Sequence, residues 1–498
     1  MSAIITEKFR QHNANQFVES FTEAAANKYY LFLGKATGFT ASTTGGTDSS
    51  PPTPADSVKD EAFSWDSMLG AKLITSSDIK YSIPRRNWSN GATFDMYRHD
   101  YSSSNTTTSG SSDLFDSTFY FMTSDFRVYK VLDNNGGSAF SGSEPTSEST
   151  SPFASGGYVL KYMYTISTSD FSKFGTTDFI PVATDSTVSA AATDGKIESL
   201  VVTSGSGYTD GTYYAAVFGD GTNQGTSSGA IVRITVSSGA IVSFGLTAGT
   251  DTTIHAGGAG YTFGFVNLGD DYIFSDASLS SSASLGGGSG GAIEVIISPD
   301  GGHGSDAVQE LGGHFVMLAT TLTQAEGDDF TTANDFRSVG IVVDPTNFGT
   351  STVATASTRR QTYIVKVDTN SGTFEADERI TQATTGAVGK VVEFDSSLSL
   401  LYYQQEEFKG FGTNATTGGY VAFSGTNQIT GASSGATGTT AGTTETVTLA
   451  NANTVTLTSG YANPELAFPS GNIIYLENRK PIQRASDQTE DIKVIIEF

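Results

Sequence analysis

Five stretches of this chain carry residue types that could do chemistry. Gly287-Gly288-Ser289-Gly290-Gly291 and Gly431-Ala432-Ser433-Ser434-Gly435 both satisfy Gly-x-Ser-x-Gly, the pattern that exposes a serine nucleophile on a strand–turn–helix elbow. The first is a glycine loop feeding a strand and the second lies inside a repeat, so neither has the helix an elbow needs. His303-Gly304-Ser305-Asp306 sets three triad-type residues side by side. A working triad converges through space, whereas neighbours in a Gly-Gly-His-Gly turn point apart, and the segment reads as a hydrogen-bonded turn. Asp133, Asn135 and Glu144 stand at positions 1, 3 and 12 of a calcium loop, but Ser138 occupies position 6, where the sharp bend needs glycine. Glu326-Gly327-Asp328-Asp329 reads as a solvated loop. The histidines at 12, 99, 255, 303 and 314 lack zinc-site spacing, and there is no cysteine. The expectation is no catalytic residue, no metal site and no cofactor.

What remains is a set of charged groups beside apolar strands. Arg85, Arg86 and Trp88 lie in Ile83-Pro84-Arg85-Arg86-Asn87-Trp88; Glu477, Asn478 and Arg479 follow a strand directly; Asp487 and Glu490 precede the last one. Arginine makes rigid two-pronged contacts with carboxylates, so these groups can lock loops within the chain or define a contact between subunits.

The elements that must position them are mostly strands. Apolar residues make up 37% and charged residues 16% of 498, with 56 glycines and far more Phe and Tyr than Trp, a mix suited to β-layers joined by many turns. That length implies two to four domains. Helices are predicted over 13–27, where Phe17, Phe21, Ala24 and Ala25 recur at helical spacing, and over 61–69. Strands are predicted over 29–33, 119–132 and 158–166, with a Ser/Gly/Pro-rich connection over 133–155. Glycine- and proline-rich residues 43–54 form a loop.

The middle of the chain repeats itself. Gly205-Ser206-Gly207-Tyr208-Thr209 returns as Gly258-Ala259-Gly260-Tyr261-Thr262, and Gly-Ala-Ile opens three strands, at Gly229, Gly239 and Gly291. Ile380-Thr381 followed by Gly386-Ala387-Val388-Gly389 returns at the same internal offset as Ile429-Thr430 followed by Gly435-Ala436-Thr437-Gly438. Such spacing marks small β-modules with glycine turns, which need bind nothing. After 459 the composition changes back, and 473–476 and 492–498 read as strands that pair with the N-terminal body. The expected order is a body over 1–190, an inserted module over 191–300, a body segment over 301–346, a second module over 347–460, and body strands over 461–498.

Acidic residues outnumber basic ones 52 to 27, a net charge of −25 that disfavours nucleic acid and anionic lipid as partners. No basic segment followed by an apolar run opens the chain, and no apolar stretch approaches membrane-spanning length, so neither secretion nor membrane insertion is expected. The glycosylation-type sequons at Asn87, Asn105 and Asn414 read as surface loops.

Several motifs carry a family resemblance. Ile5-Thr6-Glu7-Lys8-Phe9-Arg10, Pro54-Ala55-Asp56-Ser57-Val58, Ile83-Pro84-Arg85-Arg86-Asn87-Trp88 and Gly157-Tyr158-Val159 are followed, more weakly, by Phe336-Arg337 and Asp344-Pro345. The most specific is Ile474-Tyr475-Leu476-Glu477-Asn478-Arg479, then Pro481-Ile482 and Asp487-Gln488-Thr489-Glu490. In these the chain resembles the baseplate wedge subunits of T-even-type myophages, over about 1–190, 300–346 and 461–498, with two Gly-rich insertions that the compact family member lacks. The resemblance implies a β-sandwich body with a few short helices, a homodimer, attachment to other baseplate wedge subunits in the virion tail, and no enzyme activity. A tail-fibre or adhesin-like receptor-binding protein is the first rival reading, and a virion-associated polysaccharide-degrading enzyme the second.

Overall fold

A computed structural model describes residues 6–23, 26–40, 45–323, 330–332, 334–405, 420–449, 452–485 and 488–498. The fold is mainly β and sandwich-like, built of curled antiparallel sheets with short helices. The chain forms two compact units from interleaved segments. The first unit comprises Met1–Gln16, Lys80–Met317 and Ile495–Phe498; the second comprises Phe17–Ile79 and Leu318–Val494.

In the first unit, Tyr120–Met122, Arg127–Asp133, Tyr158–Thr165 and Phe153–Ser155 form a sheet in that order. Tyr158–Thr165 is buried on both faces except at its last residue. Its core is aromatic: Phe94, Phe119, Tyr120, Phe121, Tyr129 and Phe140 are all 5% exposed or less. Rings meet edge to face, as at Phe119–Tyr120 (5.2 Å, 90°) and Phe140–Tyr158 (5.2 Å, 61°), the arrangement their quadrupoles favour. Phe140 anchors the 133–155 connection in this core.

The same unit holds a larger sheet, in the order Ala240–Ile241, Ile231–Ser237, Gly211–Gly219, Gly264–Val266, Ser289–Ile296, Ser199–Ser206, with Thr253–Ala256 also paired to Ile231–Ser237. The Gly-x-Gly-Tyr-Thr repeat builds the same device twice here. Gly205 and Gly258 both sit at φ +59, in the left-handed region that favours glycine. Each following tyrosine then reaches across to cap a strand: Tyr208 accepts from the Gly291 N–H at 2.9 Å, and Tyr261 from the Ala230 N–H at 3.1 Å. The repeated Gly-Ala-Ile segments are thus the partners of the repeated tyrosines.

In the second unit, Thr358–Arg360, Met68–Ile74, Tyr29–Gly34, Phe336–Val343 and Asn472–Ile482 form a five-stranded sheet in that order. Tyr29–Gly34 is buried along its whole length, which is why it reads as an uninterrupted apolar run. An eight-stranded sheet runs Thr369–Ser371, Thr437–Thr439, Ile429–Gly431, Arg379–Gln382, Ala387–Asp395, Leu400–Gln404, Tyr363–Lys366, Tyr461–Ala462. The second sequence repeat is two hairpins of one register. Ile380 faces Gly389 and Ile429 faces Gly438, and the hairpins join where Ile380 faces Gly431. Ile380, Ile429, Ala387 and Ala436 meet in one core.

Three predicted elements differ. The first helix spans Glu7–Glu19, not 13–27, because Thr6 receives the Phe9 and Arg10 N–H groups. Phe21 lies beyond it, stacked on Tyr29 at 4.2 Å, and Ala24 and Ala25 lie outside the described residues. The second helix spans Val58–Ser67, capped by Ser57, and gives way to a strand at Met68. The single strand predicted over 119–132 is a hairpin, turning through Phe126 at φ 63.

Candidate interface site

The predicted charged groups fall into separate local clusters. In the first unit, Arg85 donates to the Thr176 carbonyl (2.9 Å) and the Asn87 side chain (3.0 Å), with its guanidinium 5.3 Å from the Phe171 ring. Arg86 donates to the Phe115 carbonyl at 2.8 Å and lies 4.4 Å over the Tyr120 ring. Burial pushes its pKa below the usual arginine value, against the pull of Tyr120, Asp95 and Asp116. Trp88 is half-buried, edge-on to Phe140 at 5.8 Å, and its backbone N–H bonds Met122. These three side chains brace the aromatic core.

In the second unit, Asn478 ties three segments together: it accepts from Ser338 at 2.7 Å and donates to the Pro52 carbonyl at 3.0 Å. Glu477 and Arg479 pair at 2.9 Å on the surface, about half exposed, and Tyr475 also donates to Glu477. Asp487 lies outside the described residues. Glu490 is buried, and its partner is a residue that the sequence reading passed over. The Arg484 side chain is 2% exposed, holds the Glu490 carboxylate at 2.9–3.1 Å through two nitrogens, and donates to the Phe330 and Thr331 carbonyls.

Other clamps were equally hidden. Arg337 grips Asp48 with both prongs (3.0 and 3.1 Å) and donates to the Ala36 carbonyl, fixing the described part, 45–54, of the loop predicted over 43–54. That bond, aided by the Phe39 N–H against a cost from burial, holds the Asp48 carboxyl below its usual range. Lys130 and Glu310 form a fully buried ion pair in the first unit. Glu310 also accepts from the Gly304 N–H at 2.7 Å. Lys161 stands directly opposite Lys130 across the sheet and donates to the Thr150 carbonyl. Only the alternation of the strands hinted at these lysines, since they occupy positions that the period of two shares with core residues.

The catalytic-looking motifs are engaged in structure. Ser289 opens a strand, with no helix after it. Ser433 and Ser434 bind the Glu378 carboxylate, at 3.1 Å and 3.0 Å through their N–H groups. Burial alone would raise the Glu378 pKa, but these bonds and the Glu375 N–H hold it lower. His303 is buried edge-on to Tyr97 at 4.9 Å, Ser305 donates to the Asp300 carbonyl, and Asp306 caps a helical turn. The three do not converge. Glu326, Asp328 and Asp329 lie outside the described residues, as does Asn414. No group of three or more metal-ligating side chains is assembled among the described residues, and no helix there is long and apolar enough to cross a membrane.

The calcium-type residues also separate: Glu144 accepts from Ser124, while Asp133 accepts from the Asn135 N–H. Burial pushes the Asp133 carboxyl up to about 6, the Asn135 bond opposing. A raised carboxylate binds protons more tightly folded than unfolded, so stability falls as pH rises from about 4 to about 6. Asp133→Asn should remove that slope and raise stability at pH 7 by about 1–3 kcal/mol at 1.36 kcal/mol per pKa unit. Denaturant melts of both proteins at pH 4.5 and 7 check this. A gain of equal size at both pH values would refute it.

A family model described as Phage-Gp8, Bacteriophage T4, Gp8, matches residues 3–143 and 443–498. Over those two stretches the chain is similar to this phage family. The matched stretches meet in space in each unit taken by itself. In the first, Arg10 donates to the Phe498 carbonyl at 2.6 Å and pairs with Glu497. In the second, Asn478 reaches Pro52. No curated protein matches the chain.

Proposed function

We propose that this protein is a structural subunit of a phage tail baseplate, placed in the wedge of a contractile tail. It works there as a homodimer that binds neighbouring wedge subunits, not as an enzyme. The observation that carries the reading is the pairing of the two family-matched stretches, nearly 300 residues apart in sequence, at Arg10–Phe498 and Asn478–Pro52. A body closed by its own two ends, with modules inserted between, is what this pairing supports.

In this reading residues 191–300 and 347–460 are insertions. The first contains a sheet whose apolar core also takes in Leu132 and Val159 of the body, the second a sheet with its own apolar core. The family match resumes at 443, inside the second span, at the hairpin Glu445–Thr448 with Thr454–Leu457. Arg85, Arg86, Trp88, Glu477, Asn478, Arg479 and Glu490 then serve the body. Most of them lock segments within the chain, and the half-exposed Glu477–Arg479 pair is the one offered to a neighbour. The charge of −25 favours solubility until partners are met.

The test combines sedimentation of the purified protein, alone and with the other tail proteins of its phage, with antibody labelling of intact particles. A dimer that enters a defined complex and labels at the distal end of the tail tube is the expected result. Label at fibre tips would favour the receptor-binding reading, and depolymerisation of host polysaccharide the enzymatic one. Either would displace the proposal.

A further inference from the structure

One face of the sheet around Gly211–Gly219 and Gly264–Val266 is closed into a core by Ala215, Val217, Ile293 and Val295. Pairing sets a row across the opposite face: Phe218 faces Phe265, Phe265 faces Glu294, and Glu294 faces Val201. At the Val201 end this face packs on the aromatic core of the first unit. At the Phe end it lies bare. Phe265 is 51% exposed, Phe263, two residues earlier, 56%, and Tyr272 40%. Phe218 joins them, stacked on Phe265 at 5.9 Å and edge-on to Tyr272 at 5.5 Å. Aromatic rings gathered on a surface in this way mark a binding face.

Charge narrows what covers it. Between residues 199 and 298 there are seven carboxylates and a single Lys or Arg, Arg233. Asp220 lies beside the patch and accepts from the Thr262 hydroxyl and from the Thr262 and Phe263 N–H groups, which hold its carboxyl below the usual carboxylate range. Asp271 is exposed next to Tyr272. Glu294 already shares Arg98. A second copy of so acidic a chain would bring like charge to this rim. The Thr262 hydroxyl donates to Asp220 and the Ser284 hydroxyl to Asp270, so the rim offers carboxylates, which favour a cation over a neutral saccharide.

We propose that this face docks an arginine- or lysine-bearing surface of another protein. The apolar stems lie on Phe263, Phe265 and Tyr272, and the cationic heads meet Asp220 and Asp271. The proposal concerns a module outside the family-matched stretches and stands whether or not the protein belongs to a baseplate.

The experiment measures fluorescence anisotropy of a labelled peptide of alternating Arg and Leu, with a Glu-Leu peptide of equal length as control, against the full chain. Binding of the Arg-Leu peptide should weaken about tenfold in the Phe263→Ser/Phe265→Ser variant, a change of about 1.4 kcal/mol, and with added salt. It should be unchanged in Phe348→Ser, which alters an exposed ring of the other unit. If the double variant fails to melt like the parent, Asp271→Asn supplies the comparison, with a several-fold loss expected. Four results would each overturn the proposal. These are undiminished Arg-Leu binding by the folded variants, equal binding of the Glu-Leu peptide, patch-dependent binding of soluble oligosaccharides in its place, and self-association that the patch variant abolishes.

Discussion

Arg484→Ala is expected to destabilise the protein by about 3–5 kcal/mol, the usual cost of removing one partner of a buried ion pair. The guanidinium is 2% exposed and Glu490 8%, so truncation strands a carboxylate away from water. It also leaves the Phe330 and Thr331 carbonyls without their donor from Arg484. Arg479→Ala should cost no more than about 1 kcal/mol, because its pair with Glu477 is half exposed and water replaces it. The two arginines lie five positions apart and look alike in the sequence. Replacing both partners, as Arg484→Met with Glu490→Leu, should restore most of the loss. Thermal melts of the four proteins decide it: equal midpoints for the Arg484 and Arg479 variants would show that the buried pair contributes nothing special.

Glu310→Gln should be comparably damaging, about 3–5 kcal/mol at neutral pH, and its deficit should depend on pH. The amide oxygen can still accept from Gly304, but Lys130 is left fully buried without the carboxylate it pairs with, Glu198 acting on it only through space. Burial already holds the Lys130 pKa below the ordinary lysine value, with Glu310 pulling the other way. Removing Glu310 deepens that depression. The unfolded chain then binds a proton that the folded chain sheds, so stability of the variant rises with pH up to about 10.4, the unfolded lysine value. The deficit against the parent should therefore shrink between pH 7 and 9.5. Urea melts across that range measure it, and a deficit constant with pH would mean that Lys130 stays charged and finds water or another partner.

These two predictions rest on contacts that no local pattern announces. Lys130 and Glu310 are 180 residues apart, and Arg337 meets Asp48 across 289. In sequence each is an ordinary charge near an apolar run, and what distinguishes it is burial, a property of the assembled layers. The hairpin within 119–132 is hidden in the sequence for a related reason. Tyr120–Met122 and most of Arg127–Asp133 are buried, so the two arms read as one strand across Thr123-Ser124-Asp125. Its turn uses Phe126 at positive φ in place of the glycine or proline that would have flagged it. The first helix ends at Glu19, and the spacing of Phe17 and Phe21 reflects their packing on Tyr29, not one continuous helix.

By itself the sequence determined the β-rich character of the chain, the glycine-turn modules and their internal registers. Each of those depends on residues close in sequence, whose conformational preferences act locally. The tyrosine–glycine repeats and the paired hairpins at Ile380 and Ile429 were legible for that reason. Only the tertiary structure decided which charges are buried, which of the predicted arginines act as internal locks, and how interleaved segments divide into two units. Those outcomes depend on desolvation and on partners brought together from hundreds of residues away, so the same arginine is a surface pair at 479 and a buried clamp at 484.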